Sequence, residues 1–159
     1  MALIQLTTSI GAPPERVFDL ARSIDAHQDS TEGTRERAVA GVTAGLIGLG
    51  DEVTWEARHL GIRQRLTVRI TAFNRPSHFQ DVMMRGAFKR MVHDHGFLAV
   101  PSGTEMSDRF EFESPFGVLG WLVERLFLAS YMRRFLIQRN RRLKEMAESE
   151  EWKQYLQNA

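Results

Sequence analysis

Apolar and polar positions alternate along most of this chain, then recur at every third and fourth residue through its last part. The first period belongs to strands with one buried face, the second to an amphipathic helix. Residues 2–10 follow the first period through Ile4, Leu6 and Ile10 and predict a strand. The phrase that follows, Gly11-Ala12-Pro13-Pro14-Glu15, predicts a short helix from Pro14 to Ser23. Proline fits a first helical turn, Glu15 suits its positive end, and Val17, Phe18, Leu20 and Ala21 supply an apolar face. A second short helix is expected from Ile24 to Ser30. The segment Gly41 to Gly50 is apolar and glycine-rich, and fits a bulged strand or a loop equally.

From Asp51 strands dominate. Glu52 to Leu60 alternates around Val53, Trp55, Ala57 and His59, and after a tight turn at Gly61 a second strand runs from Ile62 to Phe73. Phe79 to Arg85 and Phe88 to Val100 form a hairpin through Gly86-Ala87, and Pro101-Ser102-Gly103 turns the chain into a strand from Glu105 to Glu113. Beyond Pro115 the period lengthens: Leu119, Leu122, Leu126, Met132, Leu136, Asn140 and Leu143 predict one helix from Phe116 to about Ser149. It would be about 50 Å long at ~1.5 Å per residue. Its first half is apolar nearly all round, so burial on more than one side is expected, with Trp121, Leu126 and Phe127 in the core. Its second half, with Arg139, Arg141, Arg142 and Lys144, should reach solvent. Hairpin-linked strands followed by helix give an α+β layout, an antiparallel sheet with helices on one face.

Composition narrows the function classes. At 159 residues the chain suits one domain, here taken as 1–159. Its net charge of +1 gives no bulk attraction to nucleic acid or to a membrane. Without cysteine there are no disulfides, thiolate nucleophiles or cysteine zinc sites. No signal peptide or membrane-spanning run is recognisable, so a cytoplasmic chain without stable membrane insertion is expected. Ser9, Ser107 and Ser130 lack the glycines of a nucleophile elbow, and Gly45, Gly48 and Gly50 match no nucleotide-binding spacing.

The element order, with the opening Ala12-Pro13-Pro14-Glu15-x-Val17-Phe18, resembles the START/SRPBCC superfamily of polyketide cyclases, coenzyme-Q-binding proteins and lipid-transfer domains. The phrases Trp55-x-Ala57-x-His59, Phe79-x-Asp81, Gly86-x-Phe88 and His93-x-His95-x-Phe97 extend the likeness along the chain. The resemblance implies a helix-grip fold: a curved antiparallel sheet of about seven strands wrapped around a long C-terminal helix, two short helices after the first strand, and a cavity between sheet and helix. It implies no single chemistry, since such folds host carriers, sensors and enzymes.

Residues two apart on a strand share a face. Met91, His93, His95 and Phe97 therefore point one way, as do Trp55, Ala57 and His59, then Phe79, Asp81 and Met83, and Met106, Asp108 and Phe110. The apolar neighbours mark these faces as inner, which would bring His59, Asp81, His93, His95 and Asp108 toward one interior. Buried ionisable groups need partners. Three readings stay open: a hydrogen-bonded network that fixes the sheet, the polar end of a ligand cavity, or a metal or acid–base site. His93 and His95 are the metal candidates, although no metal or other cofactor is expected. For catalysis, His93 or His95 would work with Asp81 or Asp108. Arg63, Arg65 and Arg69 alternate on what should be a solvated face.

The expected function is binding of a small hydrophobic molecule, as carrier or sensor of a lipid, isoprenoid quinone or polyketide-like ring. Trp55, Phe79, Met83, Met91, Phe97 and Phe110 would supply the apolar wall. A cyclase or dehydratase using a His–Asp pair is the alternative, and a purely structural interaction domain a third. No nucleic-acid partner is expected.

Overall fold

The computed structural model describes residues 1–115 and 117–157, without the side chains of Trp121, Glu124 and Arg125. Phe116, where the long helix is expected to begin, lies outside the described residues. Strand β1 (Ala2–Ile10) leads into α1 (Pro14–Ala21) and α2 (Ile24–Ser30), and a turn of 3₁₀ helix (Glu32–Thr34) precedes β2 (Arg37–Gly41). Strands β3 (Glu52–His59), β4 (Ile62–Asn74), β5 (His78–Arg85), β6 (Arg90–Val100) and β7 (Gly103–Glu113) follow. The seven strands form one antiparallel sheet in the order β1-β7-β6-β5-β4-β3-β2. The chain closes with α3 (Gly117–Val123), a π-helical turn (Glu124–Leu128), α4 (Ala129–Glu148) and α5 (Trp152–Leu156).

Local chemistry explains the short elements. Ser23 caps α2, its hydroxyl accepting from the Ala26 amide at 3.2 Å. Phe18 is wholly buried on the inner face of α1, with ring centroids 5.3–5.4 Å from Phe73, Phe79 and Phe97 in edge-on contacts. Phe73 reaches this cluster because the β4–β5 register shifts between Ile70 and Ala72, so the inner face passes from Ile70 to Phe73. A strict alternation from Ile62 to Phe73 would place it outside.

Gly41 to Gly50 resolves into two parts. The strand of this region is β2, which starts four residues ahead of the glycines, and the remainder is a loop pinned to the helices. Ile24 donates to the Gly45 carbonyl at 2.9 Å, Ile47 to that of Arg22 at 3.2 Å, and Gly45 to the Asp25 carboxylate at 2.8 Å. Ile47 is buried as a result. Gly41 has φ 73°, and a side chain there would collide with the Glu52 carbonyl oxygen.

The C-terminal helix departs from expectation in both halves. It is not one rod: the π-helical turn separates α3 from α4. The apolar first half is not buried, since Val118, Leu119, Leu122, Leu126 and Phe127 are exposed. Among the described residues α3 packs closely against no strand, whereas α4 packs on β1; the side chain of Trp121 is outside the described residues. Conversely Arg139, expected in solvent, is buried on α4 together with Asn140.

Candidate ligand cavity and its polar network

Between the concave sheet and α4 lies a cavity of about 590 Å³. Trp55, His59, Phe79, Asp81, Met91 and His93 border it, as do His95 and Phe110. Three residues expected at the ligand site, two for its apolar wall and one for its polar end, do not. Met83 and Phe97 pack in the core beside it, and Asp108 lies behind the histidines, buried. Residues that the pattern of strands did not single out complete the wall: Met132, Phe135 and Leu136 from α4 and Ile47 from the pinned loop.

Sheet register assembles the polar end. Across the ladder His93 stands opposite Asp81 on β5 and Phe110 on β7, while His95 stands opposite Phe79 and Asp108. The hydrogen bonds run diagonally instead. His93 Nε2 lies 2.8 Å from Asp108 Oδ1, and His95 Nε2 lies 2.9 Å from Asp81 Oδ2. The two imidazoles lie 3.8 Å apart between centroids, and His95 stacks on Phe79 at 4.2 Å. From α4, Asn140 donates to Asp108 Oδ2 at 2.6 Å and Arg139 to Asp108 Oδ1 at 3.4 Å. His95 Nδ1 is 3.5 Å from Asp108 Oδ1 but poorly aligned, and this buried nitrogen has no hydrogen-bond partner among the described residues.

The electrostatics follow from these contacts. Burial disfavours the Asp108 carboxylate, but His93, His95 and Arg139 outweigh it and hold the group well below its ordinary range. Burial likewise opposes ionisation of Asp81, and the bond to His95 overcomes it. The two histidines move in opposite directions. Burial and the neighbouring His95 depress His93, whereas for His95 the carboxylates of Asp108 and Asp81 override burial and raise it. Asp81 and Asp108 thus face two histidines of opposite tendency, with the Arg139 guanidinium beside Asp108. Because a carboxylate only accepts, His93 donates from Nε2–H to Asp108.

Asp81, His93 and His95 also offer metal donors, all within 4.8 Å of one another. A divalent ion there would have to displace the His–Asp hydrogen bonds and lie near the buried Arg139 guanidinium. In the structure these donors bond to neighbouring side chains of the network, with His95 Nδ1 left over.

His59 belongs elsewhere. It joins a second cluster nearer the cavity mouth, with Nδ1 2.9 Å from the Tyr131 hydroxyl and Nε2 3.5 Å from Glu36. Glu36 also meets His27 at 2.5 Å, and His27 stacks on Trp55 at 4.2 Å. Burial raises the Glu36 carboxyl, but the two histidines more than offset this and bring it down to about 2. Sequence reasoning missed Glu36, Tyr131, Arg139 and Asn140 as a functional group. A signal existed for Arg139, which lies three residues after Leu136 and four before Leu143 on the apolar stripe of α4.

The sequence pattern of the family described as polyketide cyclase / dehydrase and lipid transport matches residues 1–148. The chain belongs to that family. Its SRPBCC-type, helix-grip character is shared by solved structures of low sequence identity. The protein TTHA0849 from Thermus thermophilus is 18% identical, covering 92% of this chain and 99% of its own, with a TM-score of 0.72. CV1439 from Chromobacterium violaceum is 15% identical, with coverages of 92% and 98% and a TM-score of 0.74. Ginseng major latex-like protein 151 from Panax ginseng is 14% identical, with coverages of 92% and 97% and a TM-score of 0.69. No curated protein sequence matches the chain. Membership of the family supports hydrophobic ligand binding in general. Among the described residues no helix is long and apolar enough to cross a membrane.

Proposed function

We propose that this protein is a carrier or sensor that encloses one small, largely apolar molecule, such as a lipid, isoprenoid quinone or polyketide-like ring, between sheet and α4. The observation that carries this reading is the cavity of about 590 Å³, walled by aromatic and aliphatic side chains and polar at defined points. A pure interaction domain would fill its core. Asp81, His93 and His95 orient the polar end of the ligand, with Asp108, Arg139 and Asn140 holding them in place. The test is extraction of the purified protein for a bound apolar molecule, with uptake of the neutral fluorescent probe phenylnaphthylamine. Ala57→Phe, which fills the cavity from β3, should reduce uptake at least ~tenfold without unfolding the chain. Equal uptake by this variant and the parent would sink the reading.

A second reading rests on the His95–Asp81 contact of 2.9 Å beside a histidine shifted the other way. Neighbouring groups pushed apart in this way can divide donor and acceptor roles in proton transfer, as a cyclase or dehydratase needs. Turnover of the extracted molecule, lost in Asp81→Asn while binding persists, would establish that reading over the carrier.

A further inference from the structure

The exposed leucines of α3 and the π-helical turn do not stand alone. Leu60 and Ile62, at the tip of the β3–β4 hairpin, are 52% and 63% exposed, and both border the cavity. Leu119 of α3 also borders it and is 70% exposed, with Val118 and Leu126 beside it in sequence or two turns on at 85% and 71%. The cavity therefore opens between two apolar lips. The hairpin lip is strained as well. His59 pairs with Ile62, so Leu60 and Gly61 form a two-residue turn, and both have positive φ, 53° and 76°. Such a turn prefers Asn or Asp before Gly. A leucine there gains little burial, since about half of it is exposed, and its outlying backbone calls for another reason.

Charge identifies what covers this end. Arg58 and Arg63 face each other across the hairpin, and Arg85 and Arg90 flank the β5–β6 turn at the same end of the sheet; all are exposed. None has an ion-pair partner among the described residues, and Glu113 at this rim is matched by Lys89 at 2.7 Å. At the opposite end of the sheet Glu15, Asp51 and Glu105 are exposed.

We propose that this end is a docking surface for an anionic lipid bilayer, with the leucines of α3 and the hairpin tip dipping among the acyl chains and the arginines meeting acidic head groups. The cavity would then open onto the membrane, from which an apolar ligand can pass without crossing water; this use of the surface rests on the ligand-binding reading above. A second copy of the chain fits the patch poorly, because a symmetric contact would set the same arginines against one another. Apolar side chains ringed by basic ones are the recognised chemistry of peripheral attachment to acidic membranes.

Sedimentation of the full chain with vesicles tests this. Phosphatidylcholine vesicles containing phosphatidylglycerol should bind it at least ~tenfold more tightly than phosphatidylcholine alone, and added sodium chloride should weaken the binding. Each arginine near the surface contributes about fivefold, so Arg58→Glu with Arg63→Glu should reduce affinity by more than ~tenfold. Leu122→Asp with Leu126→Asp should do the same through the apolar term, and thermal melting of both variants should match the parent. Absence of binding to phosphatidylglycerol vesicles, or binding untouched by both double variants, overturns the proposal. So does a dimer in sedimentation that Leu122→Asp with Leu126→Asp disperses while vesicles go unbound. Phenylnaphthylamine uptake in vesicle-free solution separates the two claims. Uptake without vesicle binding removes the docking surface and leaves the cavity, whereas vesicle binding without uptake does the reverse.

Discussion

The two halves of the C-terminal helical segment invert what their compositions suggest. Val118, Leu119, Leu122, Val123, Leu126 and Phe127 are apolar yet exposed, whereas α4 is rich in arginine yet buries Arg139 and Asn140 beside Leu136 and Leu143. The difference lies in what stands opposite. Along α4 the concave sheet supplies both apolar side chains and a buried carboxylate, Asp108, so a guanidinium can be buried with its counter-charge. Along α3 no strand packs closely, and leucines stay exposed around the cavity mouth. Hydropathy states which burial would be favourable; the neighbouring element decides whether it is available.

The sharpest way to break this comparison is Arg139→Met. It would leave Asp108 buried with less compensation and should cost about 3–5 kcal/mol in urea unfolding. A loss below ~1 kcal/mol would mean that Arg139 is not the partner that fixes the network. Leu136→Ala, on the buried stripe of α4, should cost about 2–5 kcal/mol, with the spread set by how far the cavity wall relaxes. The pH profile comes next. Glu36 ionises near 2 when folded against 4.5 for the free group, so its folded value is depressed. Its contribution is complete above about pH 4.5 and is lost as pH falls toward 2, and Glu36→Gln should flatten that acid limb of the stability curve.

The histidine pair gives a smaller effect of diagnostic sign. His95 has a raised folded value, so its contribution is present below 6.5 and is lost as pH rises through the folded value. His93 has a depressed one, so its contribution is present above 6.5 and is lost as pH falls. Urea melts of His93→Gln and His95→Gln across this range should differ from the parent with opposite pH slopes; slopes of one sign would contradict the opposite shifts of the two histidines. Smallest of all, Leu122→Ser in α3 should change stability by no more than about 0.5 kcal/mol, because that side chain already meets water.

Most strands were legible because each buries one face, which writes a period of two into the sequence. The inward set Met91, His93, His95 and Phe97 followed from that period, and so did Asp108 between Met106 and Phe110. Strand β2 was not legible: Arg37–Gly41 is a short edge strand, exposed over most of its length, so no burial period marks it. Likewise Phe73 could not be placed, because a register shift between Ile70 and Ala72 exchanges the faces of β4 without a compositional cue.

By itself the sequence determined the order of elements apart from β2 and the break in the C-terminal helix, the antiparallel sheet and the inward direction of the His and Asp side chains, all of which depend on residues near one another in the chain. Only the tertiary structure decided which of those groups meet. It sent His59 to Glu36 and Tyr131, crossed the His93 and His95 bonds to the diagonal carboxylates, and buried Arg139 against Asp108. Each of these outcomes depends on strand register or on the position of α4 over the sheet. Those are fixed by packing between distant segments, and no local periodicity records them.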